Sequence, residues 1–138
     1  MSAGKNTLNL FLRIKYYRKP FMSELNHKDS ICLFNMLDSI EKIFRYSEKF
    51  NSADDLYEDS KAFDAVLMNF IVIGEMAGKL SDALIIDSQD KIDWLKIKGL
   101  RNIIAHNYFG IDAEEVWQII HSSLKHLHKE VRKLLDLN

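Results

Sequence analysis

Residues 101–108 read Arg-Asn-Ile-Ile-Ala-His-Asn-Tyr and bring together polar side chains with complementary chemistry. Histidine changes charge near neutral pH, so it can accept or donate a proton. Arginine stays charged and can hold two oxygens of a phosphate or carboxylate. Burying such groups within an apolar helix is costly unless they are paired. We therefore predict that Arg101, Asn102, His106 and Tyr108 belong to a functional site.

The spacing of these residues constrains how the site can be assembled. At about 100° per residue, Arg101 and Tyr108 share one stripe of a helix, and Asn102 and His106 share a neighbouring stripe. Arg101 and His106 are about 140° apart, so a straight helix holds them on opposite edges of a groove. A two-fold dimer that packs this helix beside its own copy would place each Arg101 near the partner's His106. The geometry therefore favours a composite site in a homodimer.

The elements that must position this segment are helical. Apolar residues recur at helical spacing over residues 29–50, 55–80, 90–109 and from 112 to the C-terminus. The third segment carries the polar residues and ends before Gly110, where a left-handed conformation would favour glycine. Asp112 can cap the fourth helix, with Glu115 three residues on as in a capping box. The pattern predicts an all-α fold, an antiparallel bundle of four to five helices.

The second segment is apolar on most sides and is predicted to be the most buried helix. Gly74 and Gly78 lie four apart on one of its stripes, where the missing side chains let another helix approach closely. Between them, Glu75 is a carboxylate on this helix that could contact Arg101 or Asn102 as a supporting residue. An internal salt bridge without a functional role is an equally good interpretation.

Residues 1–21 differ from the rest of the chain. They hold five basic residues and no acidic one, and Pro20 closes them off. From residue 22 onward, 14 basic residues face 20 acidic ones, so this part carries a net charge of about −6. We interpret residues 1–21 as an extension or basic arm and residues 22–138 as one helical domain. A nucleic acid could then be bound only in a cleft that is locally positive.

The composition narrows the remaining possibilities. The 138 residues are 47% hydrophobic with a net charge of −1, which is typical of one soluble globular domain. The longest strongly apolar stretch, 65–77, is shorter than the roughly 20 residues of a membrane-spanning helix. The single cysteine, Cys32, fits a reducing cytoplasm. His121, His126 and His128 lack a convincing carboxylate partner set, so no metal site or cofactor is predicted.

The segment also resembles a known family. Arg101, His106 and Tyr108 form the Arg-x4-His-x-Tyr signature of HEPN domains in the HepT-like toxin branch. Ile73-Gly74-Glu75 looks like the Ile-Gly-Glu element of that family. Trp94 stands at a similar position ahead of the Arg-x4-His-x-Tyr segment. The resemblance covers about residues 29–135. The bare Arg-x4-His spacing is common in proteins, so the specificity comes from the surrounding matches.

The resemblance implies a dimeric helical bundle with metal-independent endoribonuclease activity, the toxin of a toxin–antitoxin pair. RNA supplies its own nucleophile, the 2′-hydroxyl, so a base, an acid and a cation over the phosphate suffice. His106 is the expected base, with His106 of the partner subunit as acid and Arg101 on the phosphate. Asn102 would orient the histidine or the phosphate. Because His106 lies in the last helical turn, roles as acid or phosphate binder are equally well supported.

The resemblance further implies a partner. Similar toxins are silenced when a nucleotidyltransferase antitoxin of the MNT type attaches AMP to the tyrosine of the motif, here Tyr108. A second function stays open, because HEPN domains also act as nucleotide- or protein-binding partners of nucleotidyltransferases without cutting RNA. A purely structural dimerisation bundle is a third alternative. The sequence does not indicate which RNA is cut, since no base-stacking motif or ordered basic patch is visible.

Overall fold

The computed structural model describes residues 25–106 and 110–137, and these residues are helical with no β-strand. The all-α prediction is therefore confirmed for this part of the chain. The helices that we number α1 to α7 are His27–Ser47, Ala53–Glu58, Ser60–Gly78, Asp82–Ser88, Trp94–His106, Ala113–His121 and Ser123–Leu134. The predicted arm at residues 1–21 and Tyr108 lie outside the described residues.

Helices α1 and α3 pack against each other and form the centre of the bundle. Each presents a stripe of fully buried apolar side chains, among them Leu37 and Ile40 on α1 and Val66 and Ile73 on α3. Burying one such side chain contributes about 1.5–3 kcal/mol to stability. The other face of α3 packs on α5, the helix that carries the polar segment. The prediction that the second apolar segment is the most buried helix is wrong, because α1 buries 11 of its 21 residues and α3 only 7 of 19, with Met68 of α3 59% exposed.

Two predicted helices are each divided in the structure by a polar residue that leaves the helical conformation. Segment 55–80 breaks at Asp59, whose carboxylate accepts a hydrogen bond of 3.0 Å from the backbone N–H of Ala62 and caps α3. The C-terminal segment breaks at Ser122, whose hydroxyl donates to the carbonyl of Gln118 at 2.6 Å. Such a bond to the carbonyl four residues back is known to bend helices. The apolar period continues across both breaks, so periodicity alone does not reveal them.

The short helix α4 was not predicted from the sequence. The hydroxyl of Ser81 accepts a hydrogen bond from the backbone N–H of Leu84 and caps this helix. Ser81 is itself held by the Asp29 carboxylate of α1, which accepts from its backbone N–H at 2.8 Å and from its hydroxyl at 2.5 Å. This pairing joins the α3–α4 turn to the beginning of α1. It involves residues 52 positions apart, which a local pattern does not show.

Helix α5 begins at Trp94 and not at residue 90, and it is described as far as His106, so the predicted end at residue 109 lies outside the described residues. Trp94 is buried, and its indole N–H donates to the hydroxyl of Ser88 at 2.7 Å, which fixes the start of α5 against α4. The helix continues through Gly99. The prediction of a left-handed Gly110 is wrong, since no glycine in the described residues has a positive φ. Asp112 does cap the next helix and accepts from the N–H of Glu114 at 2.9 Å.

None of the helices in residues 25–106 and 110–137 combines the length and apolar character that crossing a membrane requires.

Candidate functional site

The polar segment of α5 lies at the surface. Arg101, Asn102 and His106 are exposed, whereas Ile104 is buried and fixes the helix to the core. The expectation that these polar groups interrupt an otherwise buried helix is therefore wrong, because α5 buries only one edge. The side chain of Ile103 is 54% exposed, so within one copy of the chain it does not pack into the core. The polar residues avoid the cost of burial and can meet a solvent-borne molecule.

Arg101 forms an ion pair with Glu75 of α3. The guanidinium Nη1 donates to Oε2 of the carboxylate, and both side chains are roughly half exposed. This hydrogen bond and the charge of Arg101 lower the pKa of Glu75. The stabilising effect of the pair is therefore present above the ordinary value of 4.5 and is lost as the pH falls through the lowered pKa. Of the two predicted partners of Glu75, Arg101 and Asn102, the structure selects Arg101.

The contact between α3 and α5 is closest directly beside this ion pair. A Cβ built on Gly74 would lie 2.9 Å from the backbone nitrogen of Arg101, 3.0 Å from its Cβ and 3.2 Å from the carbonyl oxygen of Ile97. Only glycine allows the two backbones to approach this far. A Cβ on Gly78 would meet no atom within 4 Å, so the sequence pattern identified one true packing glycine and one that makes no close contact. Gly74 thus determines where Arg101 is anchored.

Arg101 and His106 face different directions, as their spacing predicts. The backbone of Arg101 lies against α3 at Gly74, whereas His106 is exposed in the last turn of α5. Because α5 is one continuous helix between them, the angle of about 140° is preserved. Asn102 lies four residues before His106 and points to the same side. In one copy of the chain these groups therefore lie on different sides of α5 and do not enclose a pocket.

The outward stripe of α5 also carries two features that were not predicted. Leu95 is 80% exposed, the largest exposure among the large apolar side chains of the described residues. A Cβ on Gly99 would meet no atom within 4 Å, so the surface there is open to a close neighbour. Leu95, Gly99, Asn102 and His106 recur at helical spacing on this side. We call this stripe the α5 outer face.

No group of three or more histidine, cysteine or carboxylate side chains that could hold a metal ion occurs in the part of the chain that the structure describes. Two of the other histidines have polar partners of their own. The imidazole of His126 bonds to the carbonyl oxygen of Lys91 at 2.9 Å, and that of His128 lies 3.5 Å from the Glu41 carboxylate.

The sequence of the chain matches the model of one protein family. The family model described as Ribonuclease HepT-like matches residues 36–134, which is most of the chain. The chain belongs to the HepT-like ribonuclease family. The HepT-like region contains the whole of α3 and α5, and therefore Gly74, Glu75, Arg101 and His106. Membership agrees with the resemblance inferred from the sequence.

Several relatives of this HepT-like chain come from Methanocaldococcus jannaschii. It is 31% identical over 105 residues to "Putative RNase MJ1380", covering 65% of this chain and 92% of that protein. It is 26% identical over 103 residues to "Putative RNase MJ0127", covering 75% and 84%. A third relative, "Gamma-glutamylcyclotransferase and putative RNase MJ0434", is 28% identical over 106 residues, 77% of this chain, and the match spans only 47% of that longer protein. No solved structure matches significantly.

Proposed function

We propose that this chain is an endoribonuclease whose active site is built on α5, with Arg101 and His106 as catalytic residues. The observation that carries the proposal is the anchoring of Arg101. In a HepT-like chain, α3 fixes this guanidinium through Glu75 and the close approach at Gly74, while His106 stands exposed on the same helix. A fixed cation and a group that transfers protons near neutral pH are what phosphodiester cleavage in RNA requires.

The proposed reaction uses the RNA 2′-hydroxyl as nucleophile. One His106 imidazole removes the hydroxyl proton, and the resulting oxygen attacks the adjacent phosphorus. As the new P–O2′ bond forms, the P–O5′ bond breaks, and a second, protonated imidazole gives its proton to the leaving 5′-oxygen. The products are a 2′,3′-cyclic phosphate and a free 5′-hydroxyl, with no net change in protons. Arg101 holds the phosphate oxygens as negative charge develops on them.

The second imidazole comes from another copy of the chain. Since one copy spreads Arg101 and His106 around an edge, we propose a two-fold dimer in which the α5 outer faces meet. Leu95, 80% exposed, and the open surface at Gly99 favour this face as the contact. Two arginines and two histidines would then line one shared groove, with Asn102 beside each histidine.

The proposal is tested by incubating the purified protein with end-labelled RNA in the presence of a chelator. We expect cleavage that leaves 2′,3′-cyclic phosphates, and no cleavage of DNA of the same sequence, because DNA lacks the nucleophile. Arg101→Ala and His106→Ala should each reduce the rate by at least about a hundredfold. Binding of RNA without cleavage would favour the non-catalytic binding module. Full activity in His106→Ala would rule out the assigned chemistry.

We also propose that the chain is the toxin of a pair neutralised by a nucleotidyltransferase of the MNT type, which attaches AMP to Tyr108. The support is the sequence motif, in which Tyr108 lies seven residues after Arg101 on the same stripe if the helical period continues. Co-expression with such a nucleotidyltransferase encoded beside it should raise the mass of the chain by one AMP. Tyr108→Phe should abolish the increase, and a neutralised complex with unmodified Tyr108 would contradict the proposal.

A further inference from the structure

We propose that RNA flanking the cleaved bond runs along a groove between the beginning of α1 and the end of α3, where Lys28 and Lys79 hold its phosphates. We call it the Lys28–Lys79 groove. The inference rests on the proposed function, since it supplies the path by which substrate reaches Arg101. The sequence showed no ordered basic patch because the two lysines are far apart along the chain and meet only in the fold.

The groove is open and has a volume of about 330 Å³. Its rim carries Lys28, Lys79, the imidazole of His27 and the amide of Asn35, and all four residues are exposed. Its floor is formed by apolar side chains of α1 and α3 together with Cys32. No carboxylate is among the described residues that line it. A polyanion would therefore meet two ammonium groups and several hydrogen-bond donors there.

The groove is electrostatically continuous with the ion pair at α5. The charge of Lys79 adds to the stronger effect of Arg101 in lowering the pKa of Glu75. In the groove floor, burial and Asp29 raise the pKa of Cys32, while Lys28 and Lys79 oppose the increase. Lys79 is thus close enough to Glu75 and to Cys32 to act on both.

The order of the residues along the chain also places the groove next to the ion pair. Glu75, which holds Arg101, is followed by Met76 on α3 and by Lys79 directly after its last residue, and both line the groove. Glu75 and Lys79 are separated by about one helical turn, a rise of about 6 Å. Lys79 and Lys28 therefore follow the Arg101–Glu75 ion pair along the end of α3, and the path gains positive charge beyond that pair. A phosphate bound at Arg101 would have neighbouring phosphates on this path.

The two carboxylates that act electrostatically on this region, Glu75 and Asp29, are both paired, Glu75 with Arg101 and Asp29 with Ser81. Asp29 is only 2% exposed, and its carboxylate accepts two hydrogen bonds from Ser81. It weakens the field near Cys32 but offers no surface to an approaching anion. Since the chain as a whole carries a net charge of −1, such a local positive region is where a polyanion would bind.

The open shape and the residue types favour an extended RNA backbone as the occupant. Lysine is a flexible point charge that contacts phosphates without reading bases, so binding here would be independent of sequence. Each phosphate contact contributes a measurable share of the salt dependence of binding, about 0.7 per contact for a single strand. The groove can therefore be tested through that dependence.

The experiment measures binding of a single-stranded 2′-O-methyl RNA, which lacks the nucleophile, to the full-length protein over a range of salt concentrations. We compare the double variant Lys28→Gln/Lys79→Gln with Lys61→Gln/Lys129→Gln, which removes two exposed lysines that do not line the groove. The groove variant should bind about three- to tenfold more weakly at low salt, and the slope of log K against log salt should shrink by about 1.4. The control variant should match the wild type.

Cleavage by the same variants separates this inference from the proposed function. For a long RNA, the groove variant should raise KM and leave kcat unchanged, while cleavage of a dinucleotide, which has only the cleaved phosphate, should not change. Equal salt slopes for the two double variants, in a protein that still cleaves RNA, would refute the groove alone. If the salt dependence of binding shrinks in the Lys28→Gln/Lys79→Gln variant but the protein never cleaves RNA, the groove is supported and the ribonuclease function is refuted. Failure to bind RNA at all would refute both.

Discussion

A dimer with one wild-type copy and one His106→Ala copy should cleave RNA at least about a hundredfold more slowly than the wild-type dimer, although one of its two His106 side chains remains. The reason is the shared groove, in which one imidazole acts as base and the other as acid. Removing either proton-transfer group costs about 10²–10⁴ in rate. The mixed dimer is obtained by co-expressing two differently tagged copies and purifying through both tags, and its initial cleavage rate is then compared with that of the wild type.

The control is a mixed dimer of wild type with Lys129→Gln, purified through the same tags, which should retain the full rate. Two independent sites, each with its own histidine, would instead leave the wild-type/His106→Ala dimer at about half the wild-type rate. That result would contradict the shared groove while leaving the ribonuclease intact. A protein that cleaves RNA as a monomer at assay concentration would remove the basis of the composite site.

Gly74→Ala should destabilise the protein by about 1–3 kcal/mol and reduce RNA cleavage by about ten- to a hundredfold. The new methyl group would lie 2.9 Å from the backbone nitrogen of Arg101, where no flexible side chain can move aside. Helix α5 must then move away from α3, and such overpacking typically costs 1–3 kcal/mol. A displacement of about 1 Å at a group that holds the phosphate can cost about a hundredfold in rate. Chemical denaturation and the cleavage assay measure the two effects.

Gly78→Ala is the matched control, since it places the same methyl group one turn further along α3. A Cβ there meets no atom within 4 Å, and the residue has no positive φ. Alanine should therefore stabilise the protein by about 0.4–1 kcal/mol by restricting the unfolded chain, with cleavage unchanged. If Gly74→Ala and Gly78→Ala behave alike in both measurements, the close approach at Gly74 does not position Arg101.

Periodicity in the sequence was sufficient to predict the helical class of the fold, but not that α1 is buried more fully than α3. Apolar residues repeat at the helical period over long segments, and a chain with that pattern gains most by burying one stripe of each helix. This periodicity was insufficient to predict the breaks at Asp59 and Ser122 or the short helix α4. These features depend on single polar side chains that bond to nearby backbone groups, and such bonds leave the apolar pattern unchanged.

For the candidate site, the sequence by itself determined that Arg101, Asn102 and His106 share one helix and that Arg101 and His106 diverge on it, because the helical period fixes those angles. Tertiary structure decided which residues surround them. It selected Gly74 over Gly78 as the packing glycine, paired Glu75 with Arg101, exposed the α5 outer face and joined Lys28 to Lys79. The physical reason is that these relations link separate helices. They depend on how the helices pack and on the turns between them, and neither is encoded in the period of any one segment.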